Sequence, residues 1–394
     1  MHLPKLEYLL YPSLVACAFI AIALSVAWAL DRLNYLPHLR VVGPRYAFLD
    51  GLRGFAAFFV FVNHAPTALH NMGIENPNIR LPIFYGNLGS LGVQIFFCIT
   101  GFLFFDRIIK TDGKIDWRTF YVSRIARIVP LYAFLIALTA AIAIAAGSKV
   151  EASDDNLKSI SSLLTFSLSY GADYLFGFKL YQITGATWTL IHEWRFYLVL
   201  PFIAMLYQRP AIGRFVLCAA TAIAAIDFSV SSIVVWTYFA TGIAAAWLYN
   251  KRINFPVWLR LVAGAAAIAL FMLVCGEGDG KGYGWGRYLI VSGLFFSVML
   301  ADPKPLRAPA VMYLGEISYS IYLLHMLVLY LAVKALGHFR QLESVGQDKF
   351  MIFLCGCAAL VVLLASATYR FIEFPFLKNA SKKSAQRVSA SANA

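Results

Sequence analysis

Leu49-Asp50-Gly51-Leu52-Arg53-Gly54-Phe55-Ala56-Ala57-Phe58-Phe59-Val60-Phe61-Val62-Asn63-His64 is the stretch on which the architecture turns. An unbroken apolar run from Phe55 to Val62 separates a charged start from a histidine. With its flanks it reads as a membrane-entering helix over 49–69. An ionisable side chain near mid-membrane costs at least about 2.5–3.5 kcal/mol on insertion scales, so Arg53 and His64 each need a partner, a wet cavity or a task. They stand eleven residues apart. Eleven steps of 100° return to within about 20°, which puts both side chains on one helix face, roughly 16 Å apart along the axis. A guanidinium at a membrane edge suits an anionic group, and a deep imidazole suits proton transfer. Snorkelling of Arg53 to lipid phosphate, with His64 bonded to a neighbouring helix, is the alternative that the spacing leaves open.

Outward from this stretch the chain stays apolar. Of 394 residues, 60% are hydrophobic and 13% charged, about half the charged share of a soluble domain, and the mean hydropathy is +0.71. Eleven spans are expected, at 7–30, 49–69, 87–106, 128–146, 184–207, 211–227, 230–249, 257–275, 286–301, 309–334 and 350–376. The fold class is therefore an all-α, polytopic transmembrane helical bundle. Ser159 to Phe176 holds Ser159, Ser161, Ser162, Ser167 and Ser169, too polar for a lipid-facing helix, and is expected to lie at the surface or to re-enter.

Charge sets the expected sidedness. The net charge of +13 falls in short basic blocks between apolar runs, the pattern of loops at an anionic cytoplasmic leaflet rather than of a nucleic-acid surface. With the N-terminus outside, 20 basic residues fall in inner loops or the tail and 10, Arg287 among them, in outer loops. The positive-inside rule then puts the tail in the cytoplasm. Ala27-Trp28-Ala29 resembles a signal-peptidase site, but cleavage there would leave Arg32, Arg40 and Arg45 outside, so the first helix is expected to stay as an anchor. The expected organisation is an extra N-terminal helix and basic linker over 1–45, a core domain over 46–377, and a disordered basic tail over 378–394. The six cysteines sit in or beside apolar segments without metal-ligand spacing, so they read as small buried hydrophobes and no metal is expected.

Four further motifs carry polar groups. Arg124 and Arg127, three apart at an expected helix start, project to neighbouring positions and can grip one phosphate, although a bare pair of this kind also serves as ordinary anchoring. Trp188-Thr189-Leu190-Ile191-His192-Glu193-Trp194-Arg195 puts three ionisable residues into four positions near mid-bilayer, where they are expected to face protein or water. Residues two apart diverge on a helix, so Glu193 is expected to find partners elsewhere, with Arg53 and His325 the candidates. His325, in Ser318-Tyr319-Ser320-Ile321-Tyr322-Leu323-Leu324-His325, reads as a packed core histidine, and Arg370 with Glu373 as an i,i+3 ion pair at the cytoplasmic end.

Taken together, these motifs resemble the membrane-bound acyltransferase 3 family. The resemblance runs from about Tyr46 to Phe376 and rests on six motifs in order: LDGLRG with its R-x10-H pair, FF-x-I-T-G-F-L, RxxR-x-x-P, WTL-x-x-E-x-x-FY, SYS-x-Y-x-x-H and YRFIE-x-P. It implies a ten-helix core with one extra helix before it, and acyl transfer to glycans or other hydroxylated acceptors. By resemblance, Arg53 and His64 match the pair essential for transfer. Arg124 and Arg127 match the basic pair that holds the acyl-CoA donor, and Glu193 matches a characteristic acidic position. Two departures stand out: Met326 replaces the usual proline after His325, and an appended esterase-like domain is not expected here.

The expected chemistry moves an acyl group, acetyl first, from cytoplasmic acyl-CoA to a hydroxyl of a glycan or lipid-linked sugar such as O-antigen or exopolysaccharide, in the inner membrane. Neutral His64 serves either as general base or as transient acyl carrier. A proton-coupled transporter with His64, His192, Glu193 and His325 as a relay is the rival reading, without an internal repeat to support it.

Overall fold

The computed structural model describes residues 6–40, 46–146, 153–166, 173–230, 234–253, 255–278, 282–380 and 382. Arg45, Ser167, Ser169 and the expected disordered tail beyond Lys382 lie outside them, whereas residues 378–380 prolong the last helix. In chain order the helices are α1 (Leu6–Arg32), α2 (Ala47–His64), α3 (Ala68–Asn71), α4 (Ile83–Lys110), α5 (Trp117–Ala145), α6 (Asp154–Leu164), α7 (Tyr181–Thr184) and α8 (Trp188–Tyr207). They continue as α9 (Pro210–Val230), α10 (Trp236–Asn250), α11 (Val257–Gly276), α12 (Trp285–Ala301), α13 (Pro309–Glu316), α14 (Ser318–Gly337) and α15 (Gln347–Thr368). Among the described residues one two-residue hairpin, Tyr174–Leu175 against Phe178–Lys179, supplies the β-structure. The protein is an all-α, multi-pass membrane bundle. Each of the eleven expected segments is mainly helical over its described residues, and seven stretches among the described residues are both long and apolar enough to cross a bilayer.

Local chemistry explains the helix ends that matter. The Asp116 side chain accepts from the backbone N–H groups of Arg118 and Thr119, so α5 starts eleven residues before the expected 128 and carries Arg124 and Arg127 in its early turns. Ser153 caps α6 by accepting from the Asn156 N–H. Eleven residues long and opened by Asp154 and Asp155, α6 is no span, as its serines led one to expect. The expected single span at 309–334 breaks at Ile317 into α13 and α14.

Helix α2 sits at the centre, enclosed by α4, α13 and α14. Glycine makes this possible. A Cβ on Gly315 would fall 2.0 Å from the Asp50 carbonyl oxygen, and one on Gly51 2.0 Å from that of Leu306, so the backbones of α2 and its neighbours touch directly. Close approach through small residues is how helices associate where lipid removes the hydrophobic incentive. The outer helices show the converse: Leu261, Ile268 and Met272 of α11 and Phe215 and Leu217 of α9 are exposed, an apolar belt suited to lipid contact.

Arg287, expected in an outer loop, is instead buried in the first turn of α12. Its guanidinium reaches Glu277 at 2.6 Å, the Asn87 carbonyl at 2.6 Å, the Val274 carbonyl at 3.2 Å, Gln94 Oε1 at 3.2 Å and Ser90 Oγ at 3.0 Å. A buried guanidinium is tolerable when its donors are met, and this one ties α4, α11 and α12 together. Outside the core domain, α1 packs on α13 and α15. The segment after it is clasped by the Arg370 guanidinium, which donates to the Tyr35 carbonyl at 3.1 Å, and by Tyr369 and Phe374, against whose rings His38 stacks.

Adding one methyl at the tightest contact tests this packing. Gly315→Ala is expected to force α13 away from α2, with an overpacking cost of about 1–3 kcal/mol, and to lower the thermal midpoint in detergent. Gly346→Ala, where a Cβ meets open space, is expected to leave the midpoint unchanged.

Candidate active site

Five elements converge on one cavity. Arg53 comes from α2, Thr100 and Phe104 from α4, Arg124 and Arg127 from α5, Thr189, Glu193 and Tyr197 from α8, and Ser318, Tyr319 and Tyr322 from α14. Four of the five residues singled out by sequence therefore share a site, although they span 140 positions of chain from Arg53 to Glu193. The fifth, His64, lines a separate crevice at the other end of α2, with Asn71, Gln182, Met326 and Tyr330.

The two ends are joined by a seam. Arg53 and His64 lie on one face of an unbroken helix, as their spacing requires. On α14, Ser318, Tyr322 and His325 follow at intervals of four and three, which also share a face. Ser318 and Tyr322 line the cavity with Arg53, and the His325 ring lies 5.3 Å from that of His64. Tyr322 stands between the two compartments. Its hydroxyl donates to the Ala186 carbonyl at 2.7 Å and lies 2.7 Å from Thr189 Oγ1, and Phe96 packs edge-on against its ring at 5.6 Å.

The three arginines of the cavity have unlike surroundings. Arg53 lies 3.8 Å from Asp50, one turn earlier. Arg127 makes a 3.3 Å ion pair with Glu373, donates to the Glu316 carbonyl at 3.3 Å, and lies against the rings of Tyr319 and Tyr369. Arg124 packs over Phe104 at 5.2 Å and Phe120 at 6.0 Å and bonds Ser123 Oγ; among the described residues no carboxylate ion pair forms with it. The expectation that the pair grips one phosphate as equals thus meets an asymmetry. Arg127 is held by carboxylate and carbonyl, and Arg124 is held mainly by aromatic rings.

Glu373 explains part of this. Residues Tyr369–Glu373 form a π-turn that follows α15. Each residue of a π-turn rotates the chain less than an α-helical one, so positions three apart, about 60° from each other on an α-helix, diverge further. The expected Arg370–Glu373 pair does not form for that reason. Arg370 turns outward to Tyr35, while Glu373 turns inward, fully buried, to Arg127 and the Ser320 hydroxyl. Glu316, next to this network, accepts from the Tyr369 hydroxyl and lies 3.7 Å from His38.

Glu193 differs from expectation as well. Its carboxylate accepts from the Tyr197 hydroxyl one turn on, so neither Arg53 nor His325 is its hydrogen-bonding partner. His192 turns to the rings of Phe97 and Trp188, and Arg195 is exposed on α8. Sequence reasoning passed over Tyr197, Tyr319, Tyr322, Thr189 and Glu316. All but Glu316 lie inside motifs already noted, but spacing does not reveal contacts between helices.

With this geometry the chain belongs to the acyltransferase 3 family: the family's sequence profile, described as an acyltransferase domain, matches residues 46–370. O-acetyltransferase OatA of Staphylococcus aureus (strain NCTC 8325 / PS 47) is 24% identical over 381 residues, covering 87% of this chain and 59% of the relative. Nodulation protein 10 of Rhizobium leguminosarum bv. viciae is 27% identical over 383 residues, covering 86% of this chain and 95% of the relative. The chain thus spans about three fifths of the length of OatA. No solved structure matches.

The asymmetry of the arginines has a measurable consequence. Arg127→Ala leaves Glu373 charged and buried without its partner, a loss of about 3–5 kcal/mol, and is expected to lower the thermal midpoint strongly. Arg124→Ala gives up ring contacts worth about 0.5–2 kcal/mol and is expected to cost much less. Equal midpoints in the two variants would contradict the different environments described.

Proposed function

We propose that the protein moves an acyl group, acetyl in the first place, from cytoplasmic acyl-CoA to a hydroxyl of a glycan or lipid-linked sugar at the outer face of the plasma membrane. The observation that carries this reading is a partition along two helices. A cavity with three guanidinium groups lies at one end, a crevice with an imidazole at the other, and both are lined by residues of α2 and α14. Guanidinium groups bind phosphates through charge-assisted hydrogen bonds, and acyl-CoA is a donor that carries them. The likeness to O-acetyltransferase OatA supports acetyl transfer to an oxygen without fixing the acceptor. The orientation rests on the positive-inside rule, with the N-terminus outside and the tail in the cytoplasm.

In this reading Arg124 is the principal phosphate ligand, because no carboxylate competes for it among the described residues. Arg53 adds charge at the cavity wall, and Arg127 shapes the wall from behind. Glu193, tied to Tyr197, balances the cationic field so that the site stays hydrated and the donor can leave. The thioester reaches past Tyr322 toward His64. One nitrogen of neutral His64 takes the acceptor hydroxyl proton as that oxygen attacks the thioester carbonyl. The tetrahedral intermediate collapses with cleavage of the C–S bond, and the imidazolium returns the proton to the departing thiolate. The relay needed by a transporter has less support: Tyr322, bonded to Thr189 and Ala186, stands between Glu193 and the histidine pair.

General-base help is typically worth about 10²–10⁴-fold, so His64→Gln is expected to abolish nearly all acyl transfer from labelled acetyl-CoA by purified protein, while donor binding persists. Arg124→Ala is expected to do the reverse, weakening donor affinity with less effect on turnover at saturation. Near wild-type transfer by a folded His64→Gln protein would sink the chemistry assigned to this residue.

A further inference from the structure

His325 is the group the mechanism above leaves unused, and its surroundings are unusual. It is fully buried on α14, three residues after Tyr322 and on the face turned to α2. Its Nδ1 lies 2.8 Å from the Tyr322 carbonyl oxygen and 3.3 Å from that of Ile321. Carbonyl oxygens only accept, so the proton of the neutral ring resides on Nδ1. Nε2 is then a lone-pair acceptor, and it is buried with no hydrogen-bond partner among the described residues. Buried polar groups left unpaired are few in folded proteins and ask for an explanation. The neighbouring side chain able to donate is His64, whose ring centre is 5.3 Å away with its plane tilted by 35°. The Tyr322 hydroxyl, the other polar group close by, is committed to Ala186 and Thr189.

We propose that His325 is a positioning residue for acyl transfer: its Nε2 accepts the ring N–H of His64 and so turns the unprotonated His64 nitrogen toward the crevice lined by Asn71, Gln182 and Tyr330. This rests on the reading of His64 as base. With the ring centres 5.3 Å apart, nitrogens turned toward each other reach hydrogen-bonding distance. The backbone carbonyls fix the tautomer of His325, His325 fixes the tautomer of His64, and His64 faces the acceptor hydroxyl. When His64 takes the hydroxyl proton it becomes imidazolium, and the bond to neutral His325 becomes a charge-assisted one. The second proton stays on the nitrogen shared with His325, and the first is the one returned to the leaving thiolate. The arrangement gives His325 the task that a carboxylate performs behind other catalytic histidines, without placing a second formal charge in the apolar bundle.

Two substitutions separate positioning from packing. His325→Phe keeps the ring and its bulk but removes the acceptor; His325→Gln keeps an acceptor oxygen at similar reach. Purified full-length variants are compared for acyl transfer from labelled acetyl-CoA, for donor KM, and for the rate at which diethylpyrocarbonate modifies His64, followed by peptide mass spectrometry. His325→Phe is expected to lower kcat by about 10–100-fold, the effect of one hydrogen bond to a charged group, with donor KM unchanged. Modification of His64 should slow in parallel, and His325→Gln should restore much of both. Wild-type kcat in His325→Phe would overturn the proposal. So would equal losses in the Phe and Gln variants, which would assign His325 to packing alone. The His64→Gln protein, assayed beside them, reports separately on the base itself: if it is active, the underlying reading fails, whatever His325 does.

Discussion

The ion pair between Arg127 and Glu373 is the contact around which the arginine-lined end of the molecule is arranged. A carboxylate with no solvent exposure is tolerated in an apolar bundle only when it is paired and hydrogen-bonded, and Arg127 and Ser320 meet that need from two different helices. The π-turn at Tyr369–Glu373 swings the acid inward. Without it Glu373 would lie nearer Arg370, and α5 would lose the anchor that holds its basic turns over the cavity. Glu316, Tyr369 and His38 extend the same network, so the segment that follows α1 touches the wall of the site from outside the region matched by the family.

A second constraint acts on α2. Direct backbone contact at Gly51 and Gly315 leaves that helix little freedom to slide or turn, so Arg53 and His64 are held at fixed ends of one polar face. Helix α14 runs beside it with Ser318, Tyr322 and His325. Between the two ends the seam narrows to Tyr322 and Phe96. The arginine-lined cavity and the histidine pair are thus separate in this structure, and in the proposed reaction the reactive end of the donor passes the tyrosine. Enclosure of this kind keeps a thioester away from bulk water until an acceptor is in place.

Much of this was legible in the amino-acid order. Periodicity and hydropathy marked each helical segment, because a bilayer forces every spanning stretch to satisfy its own backbone. The Arg53–His64 face followed from helical geometry alone. Arg53 and Glu193 drew notice through the cost of placing charge in lipid, Arg124 and Arg127 through their spacing, and all four line one cavity. What stayed hidden concerns pairs of helices. Nothing in the spacing of Arg124 and Arg127 shows that a distant glutamate claims one of them. The π-turn that separates Arg370 from Glu373 has no periodic signature. Arg287, beside a loop in sequence, is buried because Glu277, Asn87 and Gln94 converge on it from other elements. The contacts of the LDGLRG glycines, Gly51 against Leu306 and Gly54 against α13, likewise have no signature in the spacing.

The central claim is that donor and acceptor meet from opposite ends of the α2–α14 seam. Its most direct measurement uses the purified protein in proteoliposomes of known orientation, with labelled acetyl-CoA on one side and a membrane-impermeant hydroxylated acceptor on the other. The account predicts acylated product when the donor is on the side of Arg53 and Arg124 and the acceptor on the side of His64, and little or none when the two are exchanged. Equal product in both arrangements would contradict it.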